Sequence, residues 1–366
     1  MDNRDTLIWL NNIRGVSNKI IEKLEKYYVD IKNIWYSSND DILRIQGINE
    51  KTKLEIIKLK DYSYYERIME NVDKLGIKVV TIYDNNFPNR LRHIYNCPKV
   101  LYIKGDLLIE DHISIAIVGS RKVTAYGKWA AEKFATELAK IGVTTISGMA
   151  KGVDTDVHRS TIKSNGRTIA VLGSGLDVIY PKSNKNLYEE IIYNGCVMSE
   201  FPLGTQPFAY NFPQRNRIVS GLSLGVVVIE AGEKSGSLIT AQHALEQGKD
   251  VFALPGNINS IYSIGTNKLI KDGAKLLLSL DDIIEEIIEL KDISKKINVD
   301  NRNIIDYEEL SEKEVQIFKC IQEGTIHLDM ISYKTGINIS SVTSILTILE
   351  IKGIIKQLPG KLFSVK

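Results

Sequence analysis

The run IAIVGSRKVTAYG, Ile115 to Gly127, passes from a β-branched apolar segment straight into Gly119-Ser120-Arg121. Small residues there leave backbone amides open to an anion. The planar guanidinium of Arg121 suits bidentate capture of a phosphate; the alternative is a surface salt bridge. A second set is FPQRNRIVSGLS, Phe212 to Ser223, where Arg215 and Arg217 flank Asn216 just after Phe208, Tyr210 and Phe212. Arginines interleaved with aromatics serve a single-stranded nucleic acid, the cations holding phosphates and the rings holding unstacked bases. The alternative is that the rings are core residues and only one arginine is exposed. The third set, Glu233 to Ala241, opens a helical pattern that Ser235 or Ser237 can cap, leaving free amides as an anion cradle.

Three further residues admit catalytic roles. Glu200 and Glu230 both stand at strand ends and admit a carboxylate pair for glycosidic cleavage, and His158 is a candidate general base. No Ser-His-Asp arrangement or metal-ligand spacing accompanies them, and the five histidines are scattered. Structural roles are therefore expected for all three, with no catalytic residue and no metal. Nucleotide fingerprints are missing too. Gly119 is followed by no glycine until Gly127, and Gly173-Ser174-Gly175 by Val178 where a third glycine belongs. No G-x-x-x-x-G-K-[ST] occurs, and no cofactor is expected.

These residues need a sheet to position them. Residues 113–290 alternate strands with helical patterns: ISIAIVG, VTTISG, RTIAVLG, CVMSEF, LGVVVIEA, DVFALPG and KLLLS. Strands apolar throughout, separated by helices, predict a doubly wound, extended Rossmann-like, mostly parallel α/β sheet. Ligands bind outside the carboxyl ends of such strands. Six of those ends carry small or turn-forming residues, which together predict a groove. Between the first two strands a helix is expected, with Ala130, Phe134, Leu138 and Ile141 on one face and Gly142 ending it.

Residues 1–75 read as short helices with glycine turns at Gly15 and Gly47, 32 residues apart. The turn type resembles that of a helix-hairpin-helix, whose backbone amides can touch a DNA phosphate; the alternative is a plain small helical bundle with two left-handed helix ends. Residues 76–112 are a connector with two strands, and 291–308 a polar linker. Residues 309–366 follow the order of a winged helix, with a capping box at Ser311 and Glu314 and a first helix lined by Leu310, Val315, Phe318 and Ile321. Its third helix, from Ser340-Ser341-Val342-Thr343-Ser344, offers no arginine or lysine to read bases.

At 366 residues, two or three domains are expected. The charge is balanced: residues 1–75 hold 13 basic and 13 acidic residues, and 307–366 hold 7 and 7. Anion binding must come from locally convergent groups rather than a bulk field. No apolar run approaches membrane-spanning length, and the N-terminus lacks a signal-peptide layout. Cys97, Cys196 and Cys320 form no CxxC pair; buried thiols in a reducing cytoplasm are expected.

The motifs VGSR (118–121), SGMAKGVDTDVH (147–158), TIAVLGSGLDVIYPKSN (168–184), SEFPLGTQPFAYNFPQRNRIVSGLS (199–223), VVIEAGEKSGSLITA (227–241) and VFALPGNI with GTNKLIKDGA (251–274) are similar to those of the bacterial DNA-processing protein A (DprA/Smf) family. The resemblance covers the whole α/β segment in order, and it implies a sterile-alpha-motif-like helical domain before that segment (1–75) and a winged helix after it (309–366). It implies a non-enzymatic protein that binds single-stranded DNA entering during natural transformation, shields it from nucleases, helps load the RecA recombinase, and forms a homodimer through the α/β domain. It carries Gly119, Ser120, Arg121, Lys182, Phe212, Arg215, Asn216 and Arg217 to a DNA pocket, with Lys234 and Ser235 as neighbours. It also places Asn267, Ile270, Lys271 and Leu276 in a self-association and recombinase-facing segment. Ser220 stands where alanine is common in the family. A second resemblance, to lysine-decarboxylase-like phosphoribohydrolases acting on nucleoside monophosphates, lacks their PGGxGT turn; EAGEKSGS stands instead. A winged-helix transcription factor with an α/β sensor is a third reading, weakened by the neutral final segment.

Overall fold

The computed structural model describes residues 1–293, 310–352 and 354–365. The chain divides into two units at residue 294. In the first, Asp2 accepts the Asp5 amide and opens α1 (Asn3–Asn11). The expected glycine turn follows, with Gly15 at φ +92°, and leads into α2 (Asn18–Tyr28). After the short α3 (Asn33–Tyr36), the Ser38/Asp41 capping box starts α4 (Asn39–Arg44). A second turn at Gly47, φ +76°, joins it to α5 (Glu50–Lys58), and α6 (Tyr62–Lys74) completes the bundle. Trp9 is its buried centre, edge-on to Trp35 with centroids 4.9 Å apart, and its ring N–H donates to Leu59 O at 2.7 Å.

The seven expected strands all form: β3 (Ser114–Val118), β4 (Thr144–Ser147), β5 (Thr168–Val171), β6 (Gly195–Ser199), β7 (Gly225–Val228), β8 (Asp250–Ala253) and β9 (Lys275–Leu276). They pair in parallel in the order β6-β5-β4-β3-β7-β8-β9. The two strands of residues 76–112, β1 (Lys78–Thr81) and β2 (Val100–Gly105), with the short α7 (Asn89–Arg92) between them, do more than connect. They extend the same sheet, β2 lying antiparallel on β6, so it has nine strands. The chain order reverses between β3 and β7, which opens a crevice at their carboxyl ends.

Helices cover both faces. Thr124 caps α8 (Ala125–Lys140) through the Gly127 amide at 3.1 Å; the helix buries Ala130, Phe134 and Leu138 and is followed by Gly142 at φ +73°. Ile141, expected on that face, is the half-buried cap. The others that matter are α9 (Val153–Lys163), α10 (Lys185–Tyr193), α11 (Asn211–Leu222), α12 (Gly236–Glu246) and α13 (Ile264–Lys271). One hydrophobic cluster runs from Leu7 and Trp9 through Tyr102 to Val197, so bundle and sheet share a core. At the seam the Tyr102 hydroxyl accepts from Asn12 and donates to Asn11, at 2.7 and 2.9 Å.

The second unit has α15 (Glu312–Gln322), α16 (Leu328–Thr335), α17 (Ile339–Ile351) and a three-stranded sheet ordered β10-β12-β11, after the short α14 (Asp281–Ile284) of the first unit. The strands are β10 (Ile326–His327), β11 (Ile355–Leu358) and β12 (Leu362–Val365). The Ser311/Glu314 capping box is present. The inward stripe is Glu314, Ile317, Phe318 and Ile321; Val315, expected there, lies off that 3.6-residue stripe and is half-buried. The only charged residue of α17 is Glu350. The expected linker 291–308 lies outside the described residues except for 291–293, which are helical. Among the described residues no helix is long and apolar enough to cross a membrane.

Candidate nucleic-acid interface

A cleft of about 530 Å³ lies at the strand-order reversal. Its first wall is the turn after β3, which is held from two sides. The Ser120 hydroxyl donates to Lys122 O at 2.8 Å and accepts from its amide at 3.1 Å. Behind it Val153 N, opening α9, donates to Ser120 O at 3.2 Å. Gly152 makes that approach possible: φ is +78°, and a Cβ would stand 2.4 Å from Ser120 O. The exposed Arg121 guanidinium lies 5.1 Å above the Phe212 ring, and Tyr180 flanks the ring at 5.7 Å. A cation over an aromatic face, at the rim of an amide-lined turn, is a joint site for phosphate and base.

Phe212 belongs to the first turn of α11, whose helical form decides the fate of the arginine pair. Residues two apart on a helix project about 200° from one another, to opposite sides. Arg215 points under the cleft. It is 5% exposed and donates to Gly148 O at 2.8 Å, to Val171 O, and to Asn216 Oδ1 at 3.2 Å. A Cβ at Gly148 would stand 2.3 Å from the guanidinium, so a larger residue there would displace Arg215. Burial lowers the Arg215 pKa to about 10, opposed by the charge of Asp154. Asp154 is buried as well, which raises its pKa against the pull of Arg215; it accepts the amides of Gly148 and Ala150, both at 3.2 Å. Arg215 is thus a buried, still-charged floor rather than the exposed clamp expected of it. Asn216 ties that floor to the third wall by donating to Gly236 O at 3.1 Å. There Ser235 caps α12 through the Ser237 amide, with Lys234 exposed beside it.

Gly119, Ser120, Arg121, Phe212, Arg215, Asn216, Lys234 and Ser235 therefore line one cleft. Arg217 does not. It faces away, pairs with Glu200 and lines a separate groove. Lys182 is exposed in a short turn (Lys182–Asn184) outside the lining, two residues from Tyr180. The cleft gains Lys122, exposed on the same turn and legible from its adjacency to Arg121, and Asp154, whose burial no local pattern announces. Of the four residues expected at a self-association surface, Asn267 is turned inward. Its amide bridges Gly256 N and O at 3.1 and 3.0 Å. Lys271 and Leu276 are exposed, and Ile270 is half-buried.

The carboxylates considered for catalysis are engaged elsewhere. Glu230 accepts the Thr124 amide and hydroxyl, and Glu200 accepts from Arg217 and from Asn18 at 2.9 Å. His158 is fully buried, with Nδ1 2.7 Å from the Thr168 hydroxyl. Burial, and then Arg215, push its pKa from the ordinary 6.5 to about 3. Below pH 6.5 the unfolded chain binds a proton that the fold refuses until about pH 3. His158 therefore costs stability increasingly as pH falls through that window, by up to about 1.4 kcal/mol per pH unit. Melting temperatures from pH 7 down to 5 are expected to fall more steeply in the parent than in His158→Asn; parallel curves would refute this role. No cluster of His, Cys, Asp and Glu that could hold a metal occurs among the described residues.

The profile of the family described as DNA recombination-mediator protein A matches residues 78–288, and that of the DprA winged helix domain matches 306–361. The Protein Smf of Synechocystis is 33% identical over 98% of each chain. The DNA processing protein DprA of Bacillus subtilis is 43% identical, over 62% of this chain and 77% of that one. The crystal structure of DprA from Streptococcus pneumoniae superposes with TM-score 0.69 at 35% identity, covering 78% of this chain and 99% of that one. The DNA processing protein A of Helicobacter pylori, described for its unique single-stranded DNA binding mode, superposes with TM-score 0.53 at 33% identity, over 58% and 96%. With a profile spanning more than half of the chain and a relative alike along nearly all of it, this protein belongs to the DNA recombination-mediator protein A family, known also as DprA or Smf.

Proposed function

We propose that this chain binds single-stranded DNA without sequence preference in the β3–β7 cleft, protects DNA entering the cell, and assists loading of the RecA recombinase. The observation that carries the reading is Arg121 seated over Phe212 at the mouth of a cleft whose other exposed cations are Lys122 and Lys234. Stacking on such a ring contributes about 1–3 kcal/mol per base and tolerates every base. The single-stranded DNA binding named for the Helicobacter pylori relative supports the same reading. A non-catalytic role is supported by the commitments of Glu200, Glu230 and His158, and a place in the reducing cytoplasm by the free thiols Cys97, Cys196 and Cys320. Asp154, the one carboxylate on the cleft lining, is held by two amides beneath Arg215, which leaves a phosphoribohydrolase without its acid or base.

A homodimer is part of the proposal. β9 is the last strand of the sheet, and Leu276, Leu278 and Ile264 are exposed on it or near it. The test is affinity for oligo-dT against a duplex of equal length at two salt concentrations. Oligo-dT is expected to bind at least about tenfold tighter, with log affinity falling by about 0.7 per phosphate contact per log unit of salt. Light scattering on the same samples reads the dimer, and RecA filament formation on coated DNA reads loading. Equal or stronger duplex binding, or release of base from a nucleoside monophosphate, would overturn the reading.

A further inference from the structure

The groove that receives Arg217 is the larger of the two, about 1140 Å³, and lies between the α1–α2 hairpin and the loop after β6. On the hairpin side stand Arg14 and Lys19, both exposed. Ser17 begins α2, an eleven-residue helix, yet its side chain caps none of the opening amides. These amides carry the positive end of the helix dipole. On the same groove Arg217, 5% exposed, pairs with Glu200, and the enclosed atoms of the pair that lack a hydrogen-bond partner come from both sides, Nε and Nη1 of the guanidinium and Oε1 of the carboxylate. That pair neutralises itself, so the cations free to meet a ligand in the groove are Arg14 and Lys19.

The groove also repeats the chemistry of the first cleft. Lys19 Nζ lies 5.5 Å over the ring of Tyr95, which is 78% exposed, as Arg121 lies over Phe212. Tyr210, 63% exposed on the same groove, is stacked on Phe208 at 5.5 Å and 8°. Two parallel exposed rings form a platform for unstacked bases, next to cations that can hold the phosphates between them. The two sites adjoin: Pro213 lines both, and α11 sends Phe212 and Arg215 to one and Gln214 and Arg217 to the other.

We infer that the N-terminal hairpin is a second clamp for the same DNA strand. A strand leaving the Arg121–Phe212 cleft crosses Tyr210 and lays a phosphate against Arg14, Lys19 and the opening of α2, with a base on Tyr95. This rests on the reading of the first cleft. Affinity should therefore depend on oligonucleotide length in a way that the hairpin controls.

The experiment measures binding of oligo-dT of about 6 and about 20 nucleotides, lengths chosen to fill one site or both. The variants are the surface pair Arg14→Glu/Lys19→Glu and, separately, Tyr95→Ala. The charge pair is expected to weaken the long oligonucleotide by about tenfold and lower its salt slope by about 1, leaving the short one unchanged. Tyr95→Ala should cost the long oligonucleotide about fivefold at unchanged salt slope, because a ring neutralises no phosphate. Unchanged affinity for the long oligonucleotide, the result if the groove holds a protein instead, would overturn the inference while leaving the first cleft intact. Equal losses at both lengths would also overturn it, as a general charge effect. If the parent protein binds neither length, both readings fall.

Discussion

Arg121→Ala is expected to weaken binding to oligo-dT by at least about tenfold and to flatten the salt dependence by about 0.7 in the log–log slope. The side chain is exposed on a turn whose backbone is held by Ser120 and Gly152, so its removal does not disturb the turn. Two contributions disappear together: a phosphate contact, and the cation that pins the Phe212 ring. Arg121→Lys separates them. It retains the charge but loses the planar fork, and should fall between parent and alanine with the salt slope preserved. Fluorescence anisotropy at two salt concentrations measures both quantities. Parental affinity in the alanine variant would remove Arg121 from the site.

The second large effect is on stability. Arg215→Met is expected to destabilise the first unit by about 3–5 kcal/mol, because it leaves Asp154 buried without its countercharge. It also takes the donor from Gly148 O and Val171 O. A methionine fills most of the volume, so the loss reports charge and hydrogen bonding rather than a cavity. Adding Asp154→Asn should restore at least about 1 kcal/mol, the coupling expected of groups in one network. Trp9, Trp35 and Trp129, the three tryptophans of the chain, all lie in the first unit, so urea unfolding followed by their fluorescence isolates it. Strict additivity of the two substitutions would show that Arg215 and Asp154 do not act as a pair.

Much of this architecture is legible along the chain. The β-branched runs from Ile115 to Leu277 become seven parallel strands because a strand buried on both faces needs no polar alternation. Gly15, Gly47 and Gly142 mark their turns because a positive φ is needed there. Eight of the ten residues expected at a DNA pocket converge on one cleft. Five of them, Gly119, Ser120, Arg121, Lys234 and Ser235, do so because turns at strand ends share an edge, and Phe212, Arg215 and Asn216 arrive on the first turns of α11. The two that stand apart have different reasons. Lys182 sits in the short turn Lys182–Asn184, outside the cleft lining, and Arg217 is close to Arg215 in sequence but opposed to it on the helix.

The pairing of β2 against β6 was hidden for a similar reason, since strands this far apart choose partners through contacts made only after collapse. The residue order by itself determined the alternation of elements, the glycine turns and the edge on which small residues and cations gather. All of these follow from local periodicity and backbone freedom. Only the tertiary structure decided which cations meet solvent. Arg121 stays exposed because the distant group that meets it is the Phe212 ring rather than a carboxylate. Arg215 and Arg217 are claimed by Gly148, Val171 and Asp154 on one side and by Glu200 on the other. Burial and charge pairing depend on partners remote in sequence, and these turned two similar arginines into the floor of one cleft and the wall of another.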